Sequence, residues 1–142
     1  MPLELYTLNR NVDRLGILAE EMSDSILSYE DMNITLHLDY LQKKYNRTIK
    51  IYGDQGTIQW NWEDGFVTAD IFGGKSEVIH ADVELNEIYI TELKEFLDRI
   101  KNHKFKGSLD FDEALKATKL LLAMYKSADQ NIKIEKTVWD KW

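Results

Sequence analysis

The sequence predicts an α+β fold: a mainly antiparallel, open, twisted sheet with two C-terminal helices packed on one face. Three observations predict it. Apolar residues alternate with a period of two across the first half of the chain, joined by short polar turns. Turns that short make neighbouring strands antiparallel, because a parallel crossover needs a dozen or more residues. Near residue 85 the apolar period lengthens to that of a helix and stays so for two segments.

In chain order, Leu3 to Leu8 reads as a strand. Asn9 to Met22 is ambiguous: Val12, Leu15, Leu18 and Met22 fit a helical stripe, but Gly16 in its middle costs about 1 kcal/mol relative to Ala. A loop or an irregular helix is expected there. Asp24 to Tyr29 reads as a strand that turns at Glu30-Asp31-Met32-Asn33. From Asn33 to Trp60 come three further strands. Ile34, Leu36 and Leu38 alternate with Thr35, His37 and Asp39. Ile49 and Ile51 alternate with Thr48, Lys50 and Tyr52. After Gly53-Asp54-Gln55-Gly56, Ile58, Trp60 and Trp62 alternate with Thr57, Gln59 and Asn61. Glu63-Asp64-Gly65 is a hairpin signal, since Asp-Gly accepts the positive φ of tight turns. Phe66 to Phe72 and Glu77 to Val83 follow as strands, with Gly73-Gly74 as the bend between them.

The first helix is expected over Leu85 to His103, with Tyr89, Leu93, Phe96, Leu97 and Ile100 on one face. A second follows to about Ser127, capped by Asp110 with Glu113 three residues on. Its candidates for burial are Phe111, Leu115, Ala117, Leu121, Leu122 and Tyr125. Ile132 to Ile134 adds a short strand, and the tail carries Trp139 and Trp142.

A chain of 142 residues suits a single domain spanning 1–142. At that length roughly 68–70% of the unfolded surface can be buried, so no covalent staple is needed. There is no cysteine, which removes disulfides, thiolate metal sites and a thiol nucleophile, and fits a cytoplasmic location. A formal charge of -7 argues against nucleic acid as a partner. No apolar run approaches the roughly 20 residues of a membrane span, and the start MPLELYTLNRN lacks the basic region and apolar core of a signal peptide.

No glycine-rich nucleotide loop, Walker loop, zinc-binding His pair or nucleophile elbow is present. His37, His80 and His103 are scattered, so no metal site is expected. The polar phase of the Asn33 strand is the candidate site. Thr35, His37 and Asp39 share one face, and Gln42, Tyr45 and Arg47 follow at its end. Taken singly, each is more readily a solvated outer residue. Together they can meet a polar ligand, with Tyr45 and Arg47 as anchors that combine area with directed hydrogen bonds. Trp60 and Trp62 are explained by core packing more readily than by a stacking platform for sugars.

The run HLDYLQ (His37 to Gln42), followed by RTIKIYGDQGTIQW (Arg47 to Trp60), resembles the C-terminal domain of the glucose–fructose oxidoreductase / inositol dehydrogenase / MocA (Gfo/Idh/MocA) family. The segments Asn86 to Ile100 and Asp110 to Ala128 are similar to the same region, so the likeness runs from about Ser23 to Ser127. The resemblance implies a parent enzyme of the NAD(P)-dependent oxidoreductases that acts on a sugar or sugar derivative. It also implies Tyr45, more weakly Arg47, beside the substrate, and a sheet used for dimerisation. A sheet with one face uncovered by helices tends to pair through that face or an edge, so a homodimer through the open sheet is expected. His37 and Asp39 lie on the sheet face that the resemblance gives to a substrate or a twin subunit. The family's Rossmann domain, catalytic lysine and acid/base helix have no counterpart here. The expectation is therefore a substrate-binding and oligomerisation fragment with no catalytic residue and no NAD or NADP site of its own. The alternative is a stand-alone, non-enzymatic α+β protein that binds a ligand or partner on its open sheet.

Overall fold

The computed structural model describes residues 1–80, 84–103 and 111–139. The expected cap Asp110, the end of the seventh strand at Val83, and Trp142 lie outside them. The fold is α+β, with two antiparallel open sheets. The elements are β1 (Glu4–Arg10), β2 (Met22–Ser28), β3 (Asn33–Asp39), β4 (Thr48–Gly53), β5 (Gly56–Asn61), β6 (Phe66–Ile71), β7 (Ser76–His80), α1 (Leu85–Lys101), α2 (Phe111–Gln130), β8 (Ile134–Glu135) and α3 (Lys136–Trp139). They form two compact units, one of β1–β3 with α2, β8 and α3, the other of β4–β7 with α1.

In the first unit the strand order is β3-β2-β1-β8. The pairing places Ile134 opposite Leu5, Leu5 opposite Leu27, and Leu27 opposite Ile34, so one apolar row crosses the sheet. The core lies on this face: Leu5, Leu27, Ile134, Ala123, Met124 and Trp139 are buried together, with Tyr29, Leu120 and Val138 against them. α2 packs on β1 through Ala123, Met124 and Ser127, its buried residues. This is not the stripe expected from the large side chains. Leu115, Leu121, Leu122 and Tyr125 stay exposed, because the small Ala123 and Ser127 let the helix backbone lie close to the sheet.

Ser127 also closes the sheet edge. β8 pairs with β1 only at Glu4 and Leu5, which leaves the next backbone donor of β1 without a strand partner. The Thr7 N–H donates to Ser127 Oγ at 2.9 Å, and Ser127 Oγ donates to the Ile132 carbonyl at 2.6 Å. The Thr7 hydroxyl, buried beside it, shares a hydrogen bond of 2.8 Å with Ser25 Oγ. α2 ends in a left-handed residue, Asn131 at φ 52°, with the Ile132 N–H returning to the Ser127 carbonyl.

The ambiguous stretch before β2 is a loop built on a buried acid. Glu21 is fully buried, and its carboxylate accepts the N–H groups of Val12 (2.8 Å), Arg14 (2.8 Å) and Leu15 (2.6 Å). Burial opposes the charged form, but these backbone donors and the Arg14 charge outweigh it and hold the carboxyl below the usual glutamate range. Asn11 fastens the same loop through Nδ2 to the carbonyls of Ile17 and Ala19. Gly16 sits at φ 64°, a left-handed turn that a helix could not contain. The apolar stripe of Val12, Leu15 and Leu18 is exposed, not a helix face.

In the second unit the order is β4-β5-β6-β7, a meander of hairpins. Gly65, at φ 65°, makes the β5–β6 turn as its Asp-Gly sequence predicts, and Gly73, at φ 72°, makes the bend before β7. At Gly56 any side chain would collide with the Asp70 carbonyl, 2.2 Å from the site of a Cβ. Ile49 pairs with Trp60 and Trp60 with Val67, so the apolar phase is in register across this sheet too. Its Ile49, Ile51 and Ile58 are nonetheless exposed, and α1 buries none of its residues. The expectation that helices cover the apolar row from Ile34 to Trp60 therefore fails at Ile34, Leu36 and Leu38 as well, while Trp60 is half-buried. The strands also divide after Asp39. There the chain leaves β3 for an eight-residue connection, Tyr40 to Arg47, too long to force a hairpin. β3 and β4 belong to different sheets.

Candidate functional site

The face of the first sheet away from α2 carries Tyr6, Leu8, Ile26, Asp24, Thr35 and His37. The hairpin register sets their grouping: Asp24 is opposite His37, and Ile26 is opposite both Thr35 and Tyr6. They line an open hollow of about 290 Å³. His37 lies at its centre, between two carboxylates. Nδ1 lies 2.6 Å from Asp24 Oδ1 and Nε2 lies 2.8 Å from Asp39 Oδ2. Asp39 is held by its own turn, since Oδ1 accepts the Leu41 N–H at 2.8 Å, and its side chain is only 6% exposed.

Two carboxylates on one imidazole favour the imidazolium. The hydrogen bond that His37 donates to Asp24, and then that to Asp39, raise its pKa above the ordinary histidine value, against a smaller effect of burial. With both ring nitrogens engaged, His37 is badly placed to take a proton from a substrate. Its ring is held in place by the two carboxylates, which favour its protonated form. The wall around it is mixed: Leu8 and Ile26 are apolar, Thr35 offers a hydroxyl, and the Tyr6 phenol is tied at 2.5 Å to Asn131 Oδ1. Such a surface can hold a polar ligand with an apolar side, but contains no nucleophile–base pair.

Of the four residues singled out in the sequence, the structure joins His37 to Asp39. Tyr45 and Arg47 belong to the other unit. Tyr45 is exposed there, and the Arg47 guanidinium stacks over Trp60 at 5.8 Å, while Trp60 meets Trp62 edge to face at 5.9 Å. The Arg47 carbonyl accepts the Trp62 N–H, and Lys44 pairs with Glu63 at 2.8 Å beside it. His80 packs edge-on against Phe66 at 5.8 Å, and His103 ends α1 at φ 54°. Among the described residues no three His, Asp or Glu side chains converge as metal ligands.

Asp24 is the site residue that sequence reasoning missed. A signal was there. A turn at Glu30-Asp31 pairs residues whose numbers sum to 61, as Ser28 with Asn33, and the same sum sets Asp24 against His37. Glu21 carried no comparable signal, because its partners are backbone groups of an irregular loop.

What the fold defines is an antiparallel α+β arrangement with exposed apolar strand residues and a histidine held between two carboxylates. Among solved structures it is similar to the crystal structure of a "putative oxidoreductase" from Klebsiella pneumoniae, with a TM-score of 0.70 and 14% identity over 95% of this chain. At that identity the likeness is one of fold. The chain spans 43% of the length of that protein. No family model matches the sequence, and no curated protein matches it. No helix among the described residues is long and apolar enough to cross a membrane.

Proposed function

We propose that this chain is the substrate-binding and oligomerisation part of an NAD(P)-dependent oxidoreductase that acts on a sugar or sugar derivative. One observation carries the reading: a fold likeness that takes in 95% of this chain but 43% of a protein described as an oxidoreductase. The resemblance of His37 to Gln42 and Arg47 to Trp60 to the Gfo/Idh/MocA family supplies the nicotinamide and the sugar. In this reading Asp24, His37 and Thr35 present hydrogen-bonding groups to a polyol or to a twin subunit on the open face; Tyr45 and Arg47, in the second unit, enter only through the family resemblance, which sets them beside a substrate. The nicotinamide and the hydride chemistry belong to a separate dinucleotide-binding domain.

Fluorescence titration of the purified chain with NADH and NADPH tests this. No saturable binding is expected, and micromolar saturation by either nucleotide overturns the division of labour. The coding sequence upstream of Met1 is the second test. An in-frame G-x-G-x-x-G segment supports the reading, whereas a stop codon followed by a separate ribosome site favours a self-contained binding protein.

A further inference from the structure

β3 is the outer strand of its sheet, and its seven residues carry no lysine, proline or bulge of the kind that blunts a strand edge. The opposite side of the sheet is closed differently, by β8 and by Ser127 on the Thr7 N–H. The hairpin fixes which backbone groups of β3 face outward. Tyr29 N–H donates to the Met32 carbonyl, so the 29–32 pair is hydrogen-bonded. Alternation along an antiparallel ladder then turns Ile34, Leu36 and Leu38 toward β2 and presents the N–H and C=O of Asn33, Thr35 and His37 on the outer edge.

We propose that this edge pairs with the same edge of a second copy, antiparallel about a two-fold axis through Leu36, to give one continuous eight-stranded sheet. The argument is self-complementarity. With the axis at Leu36, Thr35 meets His37 of the second copy through outward-facing groups on both strands. On the α2 side, Ile34 meets Leu38 of the second copy and Leu36 meets Leu36. These leucines and the isoleucine are 36–54% exposed in the single chain, and the pairing prolongs the row Ile134, Leu5, Leu27, Ile34 across the axis. At the ends, Asn33 faces Asp39 of the second copy, an amide against a carboxylate that His37 and Leu41 already hold. Moving the axis to His37 leaves Asn33 beyond the overlap. Moving it to Thr35 leaves Asp39 beyond the overlap. Leu36 gives the longest overlap with no like charges opposed.

This goes beyond the dimer of the proposed function, which uses the sheet's face and not its edge, and the two can fail separately. The chain has no cysteine, so single cysteines report cleanly. A non-hydrogen-bonded antiparallel pair holds its Cα atoms about 4.5 Å apart, within the disulfide range. Under mild oxidation Leu36→Cys should cross-link into a covalent dimer. Ile34→Cys and Leu38→Cys should each fail alone and cross-link when mixed. Thr35→Pro removes an outward N–H without touching the β2 ladder, and should convert the dimer to monomer in sedimentation with an unchanged far-ultraviolet circular dichroism spectrum. Leu36→Lys, which places two charges at the axis, should do the same. A dimer that persists in Leu36→Lys, or whose Leu36→Cys form does not cross-link, overturns the edge pairing and leaves a face dimer standing. A wild-type chain that is monomeric at high micromolar concentration overturns both. Cross-linking of Ile34→Cys alone overturns the register.

Discussion

Asp24 Oδ1 sits 2.6 Å from His37 Nδ1, directly across the β2–β3 ladder, while Asp39 holds the other ring nitrogen from the same strand. The imidazole is thus clamped between an exposed carboxylate and a nearly buried one. Its pKa is raised by both, Asp24 contributing more. In a proton-detected NMR titration the His37 ring should change charge above the ordinary histidine value near 6.5. Asp24→Asn should bring the midpoint down, and a midpoint unmoved by that change would remove Asp24 from the clamp.

The same shift has a stability consequence of fixed sign. A histidine whose folded pKa exceeds its unfolded one stabilises the fold fully below the unfolded value and loses that contribution as pH rises through the folded value. The urea midpoint of the wild type should therefore fall as pH rises from about 6 through the folded pKa, and that of His37→Gln should fall less. Because His37 is half-exposed, solvent screening keeps the difference modest. Parallel pH profiles for the two proteins would contradict the assignment.

Glu21 titrates with the opposite sign. Its lowered pKa makes it stabilising above the unfolded value near 4.5, with the effect lost as pH falls through the folded value. Glu21→Ala leaves the N–H groups of Val12, Arg14 and Leu15 without their acceptor, and Glu21→Gln weakens it. Amide hydrogen exchange at these three positions should quicken in the order wild type, Gln, Ala. Protection that survives in Glu21→Ala would show that the loop holds itself.

Ser127→Ala should cost about 1–3 kcal/mol in urea unfolding, the desolvation penalty of a buried group left unpaired. Two groups lose their partner at once, the Thr7 N–H and the Ile132 carbonyl. A cost below about 0.5 kcal/mol would mean that water replaces the hydroxyl.

Ala123 lies against the sheet with no exposed surface, and Trp139 is 1% exposed in the same core. Ala123→Leu should destabilise by about 1–3 kcal/mol through overpacking. Trp139→Ala should lose about 3–5 kcal/mol through the cavity it leaves. Calorimetry on the two variants separates a tightly seated α2 from a loosely docked one, which would tolerate the leucine.

The strands were legible because their signal is local. Ile34, Leu36 and Leu38, then Ile49 and Ile51, then Ile58 and Trp60 alternate within a few residues, and β3, β4 and β5 form where that alternation lies. Gly65 and Gly73 marked the turns for an equally local reason. Partnership between strands was not legible where the connection was long, so the division after Asp39 into two sheets was missed. α2 was legible as a helix but not in its orientation. Size drew the reading to Leu121, Leu122 and Tyr125, whereas the contact is made by Ala123, Met124 and Ser127. Half the site was legible in the same sense. His37 and Asp39 share a strand face two residues apart, but Asp24 enters only once the hairpin register is counted. Tyr45 and Arg47 follow closely in sequence yet belong to the second unit.

The hydroxyl of Ser127 on the Thr7 amide has one more consequence. A ribbon able to add strands at both margins can polymerise without end, whereas one stopped at one margin can add only at the other. In the first sheet a helix serine and a two-residue strand act as the stop. Self-addition at β3 about a two-fold axis then uses the same margin of both copies. Through this sheet the chain terminates as a pair, and raising its concentration populates pairs instead of filaments.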